Sequence, residues 1–403
     1  MNERLRDLIR MSDSSDIAPI SPEALLRLPN PRPTEELPLD RLTTRASRLV
    51  MMRSADAGRV MLEPSETFRG AWELPPGARM AIGIPGRRSE RLASAPNAER
   101  RLQTLRGSVA EPGIPEWLPI ALNPTPIFSR AAATARRRDG RRLLRSDNHV
   151  QIFNGDSRVN IYPNSYPECC VCHVEVWTQD APGGPWMYDK EGTGFMVGRR
   201  VMMSAGHMRP TEPFSGWMMR VTPAKYGAWS VFGPNFYTYA SDCYWYDSDP
   251  GDDFMACRLY DAIGDTTGFF GTKVYKSKWE DLPVWRMCGY PFDIGSKKPA
   301  FESAISVIDD DDGDDITLPD GGEADTTQIE TQADEASGAS GSPLYSWFTN
   351  GGVYAIGSHQ GREWDTSFSD THSVASGGEG FVGLVKWARA NWDQDDLGTI
   401  QMG

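Results

Sequence analysis

The first 150 residues contain no lysine and no cysteine, and histidine is absent before His149. Without Cys or an early His, this region offers neither a disulfide framework nor a thiolate or imidazole centre, and no catalytic constellation is visible in it. Nowhere does the 403-residue chain hold an apolar run near the roughly 18 residues of a membrane span, so no membrane partner is expected. The opening "MNERLRDLIRMSDSSD" is charged and lacks the apolar centre of a conventional secretory signal. Histidine is scarce throughout: five residues in all.

The net charge of −13 hides a division. Residues 1–150 hold 25 arginines against 18 acids, a net of +7, which leaves −20 for the remainder. The join is the run "RAAATARRRDGRRLLRSDNH", with Arg136, Arg137, Arg138, Arg141, Arg142 and Arg145. Polar boundary segments of this kind are favoured nicking sites, so a protease-sensitive link near Arg145 is expected. The boundaries are therefore 1–145, a partly ordered basic segment with short helical patterns in "PEALLRL" and "AERRLQTLRG", and 146–403. Its basic residues are interleaved with acids and prolines rather than clustered with aromatics, which argues against a nucleic-acid partner. Opposite charges let the two parts attract each other.

After residue 150 the pattern becomes short strands. "CVCHVEVW", "GTGFMVG", "RVMMSAG", "WMMRVTP", "DFMACRLY", "PVWRMCGYP", "SPLYSWF" and "GVYAIGSH" are each four to eight residues with β-favouring or alternating apolar character. "GFVGLVKWARANW" near the end is spaced for a helix. The expected class is all-β with a C-terminal helix.

Three residues suit nucleophilic catalysis. Ser340 lies among small residues in "GASGSP", where backbone N–H groups can be free to hold an oxyanion. A Gly/Ser-rich linker is the bland alternative for that stretch. His207 follows a strand in "SAGH", where small neighbours leave room beside the ring, and Asp253 precedes the strand "FMACRL". Asp247, Asp249 and Asp252 lie close by, and a turn role is the alternative for any of these acids. The chain order His207, Asp253, Ser340 is one of the orders in which a Ser-His-Asp triad occurs.

These motifs together resemble those of trypsin-like serine peptidases, bacterial glutamyl endopeptidases in particular. "GTGFMVGRRVMMSAGH" is similar to their Gly-Thr-Gly-strand-Ala-Gly-His segment, "DFMACRL" to their Asp segment and "GASGSP" to their nucleophile loop. "CGYP" and "NGDSRVNIYPNSYPECCVCHVEV" resemble their Gly-Tyr-Pro strand and mature start, so the likeness covers about residues 150–393. It implies two six-stranded β-barrels of chymotrypsin type and an endopeptidase monomer acting on polypeptides without a cofactor. Ser340 would be nucleophile, His207 base and Asp253 its orienting acid, with the N–H groups of Gly338 and Ser340 as oxyanion hole. Residues 1–145 would act as a propeptide and intramolecular inhibitor, and the resemblance implies secretion. Ala339 stands where many trypsin-like enzymes have Asp before the serine, and Met208 where many have Cys.

Specificity is where the resemblance divides. His359 in "YAIGSHQG" resembles the pocket histidine that binds a substrate carboxylate, implying preference for Glu or Asp before the scissile bond. The pocket-base positions hold Asp334 and Glu335, the second usually Thr or Ser in that family, and two carboxylates favour a basic side chain. A non-catalytic binding protein on the same fold is the other reading.

Cys169, Cys170, Cys172 and His173 do not read as a metal site, because successive strand residues face opposite ways. The even cysteine count leaves disulfides and buried thiols open. The acidic run 309–316 fails the EF-hand spacing and reads as a solvated loop or a weak Ca²⁺ site, with His149 and His372 as exposed loop residues.

Overall fold

A computed structural model of the protein describes residues 17–28, 109–116, 118–127, 150–153, 155–181, 184–212, 214–294, 297–364 and 371–393. Three short strands come first: β1 (Val109–Ala110), β2 (Val150–Gln151) and β3 (Val159–Asn160). Next come β4 (Val171–Gln179), β5 (Met187–Met196), β6 (Val201–Ser204), β7 (Gly216–Pro223), β8 (Lys225–Tyr226), β9 (Trp229–Ser230), β10 (Thr238–Trp245) and β11 (Met255–Leu259). After them lie β12 (Gly271–Lys273), β13 (Trp285–Gly289), β14 (Ala300–Ile305), β15 (Val307–Asp312), β16 (Ile316–Thr317), β17 (Glu323–Ala324) and β18 (Thr326–Thr331). The last strands are β19 (Glu335–Ala336), β20 (Pro343–Trp347), β21 (Val353–Trp364) and β22 (Thr371–Gly377). Helices are α1 (Pro22–Leu26), α2 (Gly264–Thr267) and α3 (Gly378–Trp392).

The all-β class expected from the sequence is what the chain adopts, and the terminal helix forms as α3. Strands β10-β11-β6-β5-β4-β7 close into a six-stranded barrel. The second half is not a six-stranded counterpart. It is a ten-stranded sheet in the order β15-β18-β22-β21-β20-β13-β14-β3, with β12 on β21 and β1 on β12. The extra strands include pieces from earlier in the chain, since β1 and β3 pair onto β12 and β14.

Alternation explains β4. Cys172, Val174 and Val176 fall on one face, His173 and Glu175 on the other, yet all nine residues are buried. The polar face is covered by Lys225, Lys297 and Tyr290, which supply charge partners and an edge-on ring. In α3 the buried set Phe381, Leu384, Val385 and Ala388 recurs at helical spacing and seats the helix on the core.

The N-terminal region joins this body directly. Leu25, Leu118 and Leu122 are core residues. Pro19 bridges Phe348, and Ile20 N–H donates to Trp347 O at 2.7 Å. Arg286, wholly buried, donates from Nη1 to Leu122 O at 2.6 Å and from Nη2 to Asn123 Oδ1 at 2.9 Å.

Two expectations are corrected. The acidic run is not a loop: Val307–Asp312 form β15 at the sheet's edge, paired with β18, because an edge strand can turn its acids to solvent. His372 is not in an exposed loop either; it sits half-buried in β22, with Nδ1 against Glu330 Oε2. The helical pattern at 98–107, the link near Arg145 and His149 lie outside the described residues.

Candidate active site

The closed barrel positions His207. Strand β6 ends at Ser204 and the chain enters a single 3-10 turn, Gly206–Met208. Asp253 stands just before β11, the neighbour of β6 in the barrel. Its carboxylate takes the His207 backbone N–H on Oδ1 at 2.7 Å and meets the ring Nδ1 with Oδ2 at 2.6 Å. Glycine is required at 206, since a Cβ there would lie 1.8 Å from Tyr246 O and 2.8 Å from Asp253 Oδ1. The Asp253 side chain is 8% exposed and that of His207 42%, so the acid is sheltered and the ring faces solvent.

The neighbouring acids have other duties. Asp252 accepts the N–H groups of Ser248 and Asp249 at 2.8 and 2.9 Å. Asp249 caps Gly251 N–H, and Asp247 pairs with Arg209 at 2.7 Å.

The Ser340 loop belongs to the other half but is tied to β5. Thr193 N–H donates to Ser340 O at 2.8 Å, and Thr193 Oγ1 donates to Gly338 O at 2.8 Å. Gly192 marks the contact: a Cβ there would lie 2.8 Å from Met208 Sδ and 3.1 Å from Ser340 O. The residue after His207 and the backbone of Ser340 therefore press on the same glycine. Gly338 has φ +95°, a left-handed angle that favours glycine, and a Cβ would strike the Phe292 ring and Tyr290 O at 2.5 Å. Ala339 N–H is used by Ala336 O. Among the described residues no backbone carbonyl takes the N–H of Gly338 or of Ser340, the pair an oxyanion would need. Ser340 is half-buried, and its hydroxyl makes one long bond, 3.4 Å, to Gln360 O. The Ser340 hydroxyl thus turns to Gln360 O rather than to His207, but its bond is long, and small residues with undirected N–H groups on the loop that meets Met208 at Gly192 suit attack on an acyl carbon.

The three pocket candidates come together, although each is engaged within the chain. β21 places His359 beside the loop: Gly341 N–H donates to His359 O at 2.6 Å, and His359 N–H donates to Ser342 O at 2.8 Å. The ring Nε2 lies 2.9 Å from Glu335 Oε2, with the side chains 3% and 7% exposed. Asp334 Oδ1 accepts Phe153 N–H at 2.7 Å, and Oδ2 accepts Ser157 N–H at 2.7 Å and Ser157 Oγ–H at 3.2 Å. Glu302 takes Asp334 N–H at 2.8 Å and the Ser157 hydroxyl at 2.6 Å. Burial, and the charge of Asp334 beside it, push the Glu302 carboxyl up to about 7. Phe153 and Ser157 thus anchor Asp334, and β2 pairs with β19 beside it.

A cluster that the sequence reading missed lies behind β4. His173, Glu175 and Glu191 bring ligand atoms within 4.8 Å of one another. Lysines occupy the place of a cation there: Lys225 Nζ is 3.3 Å from Glu175 Oε2, and Lys297 Nζ is 3.0 Å from Glu175 Oε1 and 3.2 Å from Glu191 Oε2. Burial drives the Lys225 ammonium down to about 8 and lowers His173. The i, i+2 spacing of His173 and Glu175 was the readable signal; the lysines come from β8 and from a loop far along the chain. All six cysteines are buried thiols, and Cys169 and Cys170 both point at Thr267 O, away from His173.

Comparison of the sequence with known families finds no match, and comparison with curated proteins finds none. Among solved structures the chain is similar to that described as the structure of Glu endopeptidase in complex with MPD. The likeness has 16% identity and TM-score 0.44, covering 60% of this chain and 100% of that one. It is also similar to the Rv3671c protease from M. tuberculosis in its active form, with 17% identity and TM-score 0.34, covering 54% of this chain and 81% of that one.

Proposed function

We propose that the protein is a serine endopeptidase of chymotrypsin type. Ser340 Oγ attacks the peptide carbonyl; His207 accepts its proton and returns it to the leaving amine. Asp253 orients the ring, and the Gly338 and Ser340 N–H groups hold the oxyanion. The observation that carries this reading is the Asp253-held, solvent-facing imidazole, whose neighbour Met208 meets the Ser340 backbone at Gly192, together with the unclaimed N–H groups of the serine loop. One oxyanion donor is worth roughly 3–4 kcal/mol of barrier. The substrate is a polypeptide and the chemistry uses no cofactor.

The enzyme is made as a proenzyme, with residues 1–145 as the regulatory part and 146–403 as the peptidase. The packing of Leu118 and Leu122 supports a refinement: residues 109–127 stay with the enzyme after a cut near Arg145, and any inhibitory cover is a separate function. An acidic preference requires an imidazolium at His359 open to substrate, and that ring already faces Glu335. A basic preference requires an available carboxylate at Asp334, and both of its oxygens are engaged.

Fluorophosphonate labelling tests the reading. Ser340 should be modified, and Ser340→Ala should abolish labelling and turnover. A folded chain whose Ser340 resists the reagent both intact and after limited proteolysis would favour a non-catalytic binding protein.

A further inference from the structure

Glu335 stands where the resembled enzymes carry Thr or Ser. Here it brings a carboxylate to the imidazole that their substrate's carboxylate would meet. The contact is short, 2.9 Å, and sealed from water. Glu335 Oε2 is buried and takes no hydrogen bond, so the oxygen keeps its lone pairs for another donor. Both partners are fixed by backbone. Glu335 is held by pairing of β19 with β2, and His359 by its two bonds to the Ser340 loop. Gln360, the next residue, accepts the Ser340 hydroxyl, so the pair lies directly beside the proposed nucleophile.

This arrangement decides between three kinds of substrate side chain. An acidic one would bring a second carboxylate to an imidazole that already has one, and like charges in a buried site repel. A basic one would find Asp334 saturated by Phe153 and Ser157, and would have to take Glu335 from His359. Either leaves an uncompensated charge in a low-dielectric pocket. An uncharged amide does not. Its NH₂ can donate to Glu335 Oε2, and its size matches the Glu side chain that the resembled pocket takes.

We propose that Glu335 is a built-in occupant of the carboxylate-binding place at His359, so that the enzyme selects an uncharged hydrogen-bonding side chain, of the glutamine class, before the scissile bond. The proposal rests on the peptidase reading and specifies its substrate.

The experiment compares peptides identical except for Gln, Glu or Lys before the scissile bond, using the full chain before and after limited proteolysis. Wild type should cut after Gln at least about tenfold better, in kcat/KM, than after Glu or Lys. Glu335→Gln and Glu335→Thr should each raise the Glu-to-Gln ratio about tenfold or more. A wild-type preference for Glu or Lys, or a ratio unmoved in both variants, overturns the proposal. If Ser340 takes no fluorophosphonate and nothing is cut, it is the peptidase reading that fails and the substrate assignment with it. Thermal melts then judge the pair itself. Glu335→Gln and His359→Gln should each lower Tm, with the double variant falling by clearly less than the sum. Additive losses would show that no pair exists.

Discussion

The cleft and the pocket each hold one histidine against one carboxylate, and the two pairs differ in which nitrogen is taken and in what surrounds it. Asp253 takes Nδ1 of His207 at 2.6 Å and leaves the far side of a 42%-exposed ring open. Glu335 approaches Nε2 of His359 at 2.9 Å inside a site where both side chains are under one-tenth exposed. The first ring has one nitrogen anchored and the other open, which is what the proposed proton transfer needs. The second is closed in between Glu335 and Ser373. Burial and the choice of nitrogen, rather than residue type, separate the two settings.

The largest effects should come from breaking the cleft pair's chemistry while sparing the pocket's. Ser340→Ala and His207→Ala should each lower kcat/KM by roughly 10⁴-fold or more, since the triad acts as a unit. Neither side chain fills the core, so melting should shift little, by about 0.5 kcal/mol or less in stability. Steady-state kinetics alongside calorimetry gives both numbers; near-full turnover in Ser340→Ala would remove Ser340 from the mechanism.

The next effect should fall on the core that the two halves share. A chain beginning at residue 146 loses Leu118 and Leu122, each worth roughly 1.5–3 kcal/mol when buried. It also loses Leu122 O and Asn123 Oδ1, which accept from the Arg286 guanidinium, and an orphaned buried charge costs roughly 3–5 kcal/mol. The truncated chain should therefore melt early, losing hydrogen-exchange protection in barrel strand β4 as well as around Arg286, because Leu118 and Leu122 share one core with Val174 and Val176. A chain cut near Arg145 but retaining residues 109–127 should melt like the intact one. Equal melting of the truncated and cut forms would mean that the N-terminal contacts contribute nothing.

The same contrast explains what could be read from sequence. The candidates His207 and Ser340 stand in local runs of small residues, so short-range pattern singled them out, whereas Asp253 among neighbouring acids rested on the resemblance. All eight strand segments were readable for a like reason: alternation and turn residues are local. The pairing of His359 with Glu335 was not readable, because it depends on β21 meeting the Ser340 loop and β19 meeting β2. Lys225, in β8, and Lys297, in a loop, reach Glu175 from separate parts of the chain, and no spacing along it encodes that. The run 309–316 misled because composition suggested solvent, whereas partners on β18 made it a strand.

Carboxyls whose burial outweighs the pull of a nearby arginine extend the comparison to pH. Burial pushes Glu168 up to about 7, with Tyr345 Oη–H donating to its Oε1 at 2.9 Å. Glu302 is raised to about 7 as well. Both groups hold an extra proton in the folded state between their ordinary 4.5 and 7. The stability they contribute is complete below 4.5 and is lost as pH rises through 7. Glu191, lowered to about 2 despite burial by His173 and Lys297, works in the opposite sense, and its contribution is lost only below 4.5. Stability should fall between pH 4.5 and 7.5, by about 3 kcal/mol for Glu168 alone. Glu168→Gln should flatten that slope in denaturant titrations across the range; an unchanged slope would mean that Glu168 ionises freely.

The smallest effect tests the nitrogen that each pair leaves over. In the pocket, His359 Nδ1 faces Ser373 Oγ at 3.4 Å, a long contact at a wholly buried hydroxyl. In the cleft the corresponding nitrogen is the one that Asp253 grips. Removing the hydroxyl should therefore matter little, because His359 is placed by its backbone bonds to Gly341 and Ser342 and by Glu335. Ser373→Ala should cost about 1 kcal/mol or less and change the Glu-to-Gln cleavage ratio by no more than about threefold. Asp253→Ala, which strips the cleft ring of its holder, should cost activity by orders of magnitude more. A Ser373→Ala variant that reversed side-chain selection would show that the pocket ring is held through Nδ1 after all, and that the two pairs are built alike.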